Sequence, residues 1–89
     1  MEDSRTPYRL ELLPVIHPYH RRAQNSKLYE GQLVYYGPKP GYYGIGEVRR
    51  IADQYVFVDF RGTGAFEIQE EAFEPQYLVP IPQSMMHKL

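Results

Sequence analysis

Histidines, a glycine-spaced hexad, scattered serines and a run of glutamates are the places where this chain could do chemistry. His17 and His20 have a spacing that turns both toward one metal from a helix, with His87 as a remote third ligand. Pro18 lies between them and no nearby carboxylate completes a site, so they read as surface histidines. The stretch Gly41-Tyr42-Tyr43-Gly44-Ile45-Gly46 has the glycine spacing of a phosphate-cradling loop. That chemistry needs a helix amino terminus behind the glycines, and the residues after them are strand-like. Ser4, Ser26 and Ser84 lie in polar or terminal stretches, without the sharp strand-to-helix turn that exposes a nucleophilic serine. Glu67, Glu70, Glu71 and Glu74 crowd together with no partner that would split their pKa values into an acid and a base. The expectation is a protein that is not an enzyme, with no catalytic residue, no metal and no cofactor.

The aromatic residues carry the stronger functional signal. The chain holds nine tyrosines and four phenylalanines. Tyr35, Tyr42, Tyr43, Tyr55, Phe57 and Tyr77 cannot all enter a small core whose inward positions are claimed by Val34, Val48, Val56, Val58, Phe60, Phe66, Ile68 and Leu78. Large rigid side chains lose little entropy on binding, so an exposed cluster of them favours a protein interface. The alternative is that they cover the ends of the fold and anchor the amino-terminal segment through their hydroxyls. Tyr42 and Tyr43 lie between glycines behind a proline-rich loop, which should hold both outward as preorganised anchors. Arg49 and Arg50 alternate in direction, leaving one on the outer face to meet an acid on a partner. The partner-binding set is therefore Tyr35, Tyr42, Tyr43, Arg49, Arg50, Tyr55, Phe57 and Arg61. A second basic strip, Arg21, Arg22 and Lys27, falls in a stretch without acids between residues 12 and 29. It would serve a nucleic-acid partner, with tyrosines stacking on bases.

The elements that must position these residues are short strands. Residues 32–36 form a first strand, followed by the loop Gly37-Pro38-Lys39-Pro40-Gly41, where prolines fix φ and glycines allow it to be positive. Residues 44–51 form a second, with Gly44 and Gly46 at its start as the place for a bulge or bend. Ala52-Asp53-Gln54 makes a tight turn into a third strand, 55–60, with Val56, Val58 and Phe60 on one face and Tyr55, Phe57 and Asp59 on the other. Arg61-Gly62-Thr63-Gly64 reads as the next turn and 65–69 as a fourth strand with Phe66 and Ile68 inward. Residues 70–74 read as one helical turn stopped by Pro75, and 76–81 as a last strand with Leu78 in the core. Ahead of these, residues 8–13 alternate like a strand that Pro14 and Pro18 confine to an edge. Residues 19–28 read as a short helix, and residues 1–6 should fray.

Size and composition set the limits. A chain of 89 residues buries only about 60 to 65% of the surface its unfolded form exposes. With no cysteine, neither a disulfide framework nor a thiolate metal site can hold the fold, so burial must do so. Apolar runs are a few residues long, which argues against membrane insertion and a secretory segment, and the expected compartment is the cytoplasm. The formal charge of −1 and pI near 6.3 lack the basic excess that draws a small domain onto a nucleic-acid backbone.

Gly31-x-x-Val34, a loop, Gly41-x-x-Gly44-x-Gly46-x-Val48, then Val56-x-Val58-x-Phe60 and a closing Leu78 resembles the Src-homology-3-like small barrels of the KOW and bacterial Tudor-like type. The resemblance covers residues 31–81. It implies an all-β, five-stranded antiparallel barrel, with 1–30 as a partly ordered amino-terminal extension and 82–89 as a flexible tail. It further implies a binding module: a protein-binding adaptor or accessory subunit of a larger complex, or alternatively a nucleic-acid-associated domain.

Overall fold

The computed structural model describes residues 8–17 and 28–89. Five strands form one antiparallel sheet: β1 (Leu33–Tyr36), β2 (Ile45–Ala52), β3 (Tyr55–Phe60), β4 (Gln69–Phe73) and β5 (Leu78–Pro80). The spatial order is β4-β3-β2-β1-β5, a meander whose last strand returns beside the first. The fold is all-β, and its helices are single turns, α1 (Pro40–Tyr43) and α2 (Gln83–Met86). The expected closed barrel is corrected in one respect: β4 and β5 are both edges and do not pair, so the sheet stays open.

The β2–β3 hairpin follows directly from side-chain alternation. Val56, Val58 and Phe60 are at most 1% exposed, and opposite Val58 lies the equally buried Val48. Asp53 takes a positive φ of 52° in the turn, which a short polar side chain tolerates better than a branched one. The bulge falls elsewhere than expected: pairing runs Val48↔Val58 and then Arg50↔Phe57, skipping Arg49. Gly46 instead stays in register opposite Phe60, where a Cβ would lie 2.8 Å from the Phe60 ring. Gly44 (φ 75°) ends α1, its N–H bonded to the Pro40 carbonyl at 2.9 Å.

The fourth strand is displaced from its expected position. Residues 61–68 are loop, and the strand is Gln69–Phe73, with Phe73 opposite Val56 and Gln69 opposite Phe60. Ile68, expected inward, is 64% exposed, while Phe66 packs on the core from the loop. The expected helical turn at 70–74 is thus strand. Backbone pairing with β3 decides it, because an edge strand tolerates glutamates that a central one would not. The loop before it is tied to the β1–β2 loop: the Ile45 N–H donates to Thr63 Oγ1 at 2.8 Å and the Phe66 N–H to the Tyr42 carbonyl at 2.7 Å. Pro75 opens a 3-10 turn, Pro75–Tyr77, that leads into β5.

Alternation in β1 sends neighbouring residues into different clusters. Val34 joins Val48, Val56, Val58, Phe60 and Leu78 in the main core, with Leu28, Tyr43, Phe66 and Phe73 packed against it. Tyr35 joins Leu13, Ile45 and Ile81 in a second cluster, completed by both chain ends: Tyr8 and Leu10 from one, Met85, Met86 and Leu89 from the other. The amino-terminal segment holds a 3-10 turn, Leu10–Leu12, where a strand was expected; the Leu13 N–H closes it on the Leu10 carbonyl at 2.9 Å. Residues 82–89, expected as a flexible tail, carry α2 and pack onto this face, and the Arg9 N–H donates to the Leu89 carbonyl at 2.9 Å. The expected helix at 19–28 lies almost wholly outside the described residues.

Candidate functional site

The expected partner-binding residues fall in different places. Tyr35 is buried, 3% exposed, and its hydroxyl donates to the Pro14 carbonyl at 2.9 Å. It therefore anchors the amino-terminal segment and does not belong to an exposed patch. Tyr43, expected outward with Tyr42, turns in: its ring centroid is 5.2 Å from Phe60, 4.8 Å from Phe66 and 5.5 Å from Phe73. Tyr42 alone stays outward, 47% exposed, with Tyr43 edge-on at 4.8 Å. The helical turn α1 explains the split, since consecutive side chains on a helix point about 100° apart.

Tyr36 extends the aromatic cluster across the open side of the sheet. Its centroid lies 4.9 Å from Phe73 at the end of β4, 5.0 Å from Tyr43, and 5.8 Å from Tyr77 in a stacked arrangement. Such separations are those of rings in mutual contact, so the cluster fills its own space. Burial pushes the Tyr36 phenol above the ordinary value of 10.0, and the nearby Tyr77 adds to it. Tyr43 is raised as well, by burial first and then by Glu71, Tyr36 and Tyr42. Both stay protonated at neutral pH, which suits packing and hydrogen bonding, not proton abstraction.

The outward face of the β2–β3 hairpin gathers Arg50, Tyr55 and Phe57. Arg50 stands opposite Phe57 and Ala52 opposite Tyr55, and Phe57 is followed across the sheet by Ala72 of β4. Tyr55 is 47% exposed and Phe57 half-buried. The Arg50 guanidinium carbon sits 4.0 Å above the Phe57 ring centroid, a cation–π contact. These residues line a shallow hollow with Asp53 and Gln54 at its rim. Beyond it runs an acidic row, Glu47 opposite Asp59 opposite Glu70. Arg49 lies 3.9 Å from Glu47 and Arg61 2.9 Å from Asp59.

The bulge is why Arg49 and Arg50, neighbours that alternation would separate, both meet residues of the outer face. Ala72, Asp53 and Gln54 were not picked out from the sequence, and Ala72 becomes visible only once β4 is in register. Arg21, Arg22 and Lys27, with His20, lie outside the described residues. Among the described residues no group of three or more His, Cys, Asp or Glu could hold a metal ion, and no helix is long and apolar enough to cross a membrane. No protein-family model, curated protein or solved structure matches the chain.

Proposed function

We propose that this chain is a non-enzymatic, protein-binding domain of the Src-homology-3-like, KOW or Tudor-like type, acting as an adaptor or accessory subunit. It docks through the outward face of the β2–β3 hairpin. The fold reading is supported by a five-stranded antiparallel sheet whose last strand returns beside the first after a 3-10 turn. One observation carries the functional reading. The chain's own ends cover the outer face around Tyr35 and Ile45, whereas on the same side of the sheet Tyr55 is exposed and the half-buried Phe57 lies beneath the exposed Arg50. An exposed tyrosine beside a phenylalanine capped by an arginine is the composition of an interface centre.

A photo-crosslinking residue at position 55 tests this in the cells that make the protein. Protein adducts should form from position 55 and be absent from position 12, an exposed leucine on the amino-terminal segment. Equal labelling from both positions removes the reading. Nucleic-acid adducts from position 55 would instead favour the second reading, in which Tyr55 stacks on a base. The acidic row beside the hollow and the net charge of −1 oppose phosphate binding, so no affinity for mixed-sequence DNA or RNA is expected near physiological salt.

A further inference from the structure

Arg50 differs from its neighbours Arg49 and Arg61. Arg49 and Arg61 each face a carboxylate of this chain, at 3.9 and 2.9 Å. Among the described residues no carboxylate lies within ion-pair range of Arg50, and its guanidinium lies on Phe57 at 4.0 Å. A guanidinium carbon held over a ring face by a cation–π contact leaves N–H donors that the ring does not engage available to a partner. The group that complements such a fork is a carboxylate, which accepts two parallel hydrogen bonds. The floor beside the fork is apolar, made by Ala52, Tyr55 and Phe57.

Resting on the protein-binding reading, we infer that this face receives a partner segment in which one Asp or Glu stands next to an aromatic or bulky apolar residue. The carboxylate forks onto Arg50, and the apolar side chain lies against Tyr55 and Phe57. Charge around the hollow limits the occupant to a single acid. Asp53 lines the same rim, and the row Glu47, Asp59 and Glu70 lies on the far side of Phe57. A run of acids, or a phosphate backbone, meets repulsion on both sides, while an isolated acid flanked by apolar groups brings a single charge, which Arg50 answers.

The test is selection of a displayed library of random twelve-residue peptides on the full chain. Selected peptides should be enriched in an acid adjacent to Phe, Tyr, Trp or Leu. Their affinity should fall at least about tenfold in R50Q, the loss expected for a charge-assisted bidentate pair, and stay unchanged in R49Q. R50Q alters an exposed side chain, and its circular dichroism should match wild type. Peptides that lose binding in Y55S but show no acid preference, or ignore R50Q, would overturn the acidic occupant while leaving protein binding in place. Recovery only of peptides indifferent to Y55S would remove both. Binding of single-stranded oligothymidylate that is lost in R50Q would overturn the inference in favour of nucleic acid.

Discussion

Tyr42 and Tyr43 are identical side chains on adjacent residues, yet one is a surface residue and the other a wall of the core. Helical geometry over α1 separates them, and similar local rules govern other single positions. Val58 is fully buried and its neighbour Asp59 turns outward toward Arg61. V58D should therefore place an unpaired carboxylate in the core and cost more than about 4 kcal/mol, enough to unfold the domain. D59A removes only a pair whose arginine is 60% exposed and should cost less than about 1 kcal/mol in urea unfolding. Equal midpoints for the two would reverse the face assignment. Tyr36 and Tyr43 add a pH dependence. Their phenols are raised in the folded state, so the stability they confer is complete below the unfolded value near 10 and is lost as pH climbs from there through the folded values. Unfolding midpoints should stay flat up to about pH 9 and fall above it. The fall should shrink in Y36F and Y43F, and an unchanged alkaline slope in both would contradict the raised phenols.

Among the elements, the β2–β3 hairpin was legible in the sequence and β4 was not, for a physical reason. Residues 55–60 alternate strictly and β3 pairs on both sides, so burial of one face determines the register. Residues 69–73 lie at an edge and contain two glutamates, so hydrophobic pattern says little there. Phe66 and Ile68 alternate only by accident of a loop. The bulge was equally hidden: it falls at Arg49, whereas Gly44 and Gly46 answer to other demands, a positive φ and the closeness of the Phe60 ring. For the candidate site, Tyr55 and Phe57 were legible from strand alternation; Arg50 was not, because the bulge at Arg49 is what turns it outward, and the inward turn of Tyr43 and the burial of Tyr35 depend on a helical turn and on the chain ends. The contact between the two loops can be tested at its glycines. A Cβ on Gly64 would lie 2.6 Å from the carbonyl oxygens of Gly41 and Tyr42, which are backbone atoms that cannot rotate away. G64A should cost about 1–3 kcal/mol by overpacking. A methyl group placed on Gly41 would meet no atom within 4 Å, so G41A should be neutral or slightly stabilising. A neutral G64A would show that the loops do not need to touch.

At the scale of the molecule, each face of the sheet carries an apolar cluster, and no regular layer of the described residues covers either. The main core lies on one face, and its open side is bridged by the rings of Tyr36 and Phe73 at 4.9 Å. On the other face, the part around Tyr35, Ile45 and Ile81 is covered by the two terminal segments, which meet through the Arg9 to Leu89 backbone hydrogen bond. The final residues therefore contribute to stability although they carry little regular structure. Removing residues 83–89 takes away Met85, Met86 and Leu89 from that cluster, leaving its buried members open to water. Three half-buried apolar side chains correspond to a loss on the order of 3 kcal/mol, a large share of what holds a small domain together. Y35F, which keeps the ring and removes the hydroxyl bond to Pro14, should cost about 1 kcal/mol. The truncated chain should also bind a hydrophobic dye such as ANS, because the exposed face is contiguous, whereas Y35F should not. A truncated chain that unfolds at the wild-type urea midpoint and binds no dye would mean that the carboxy-terminal segment does not rest on the sheet in solution.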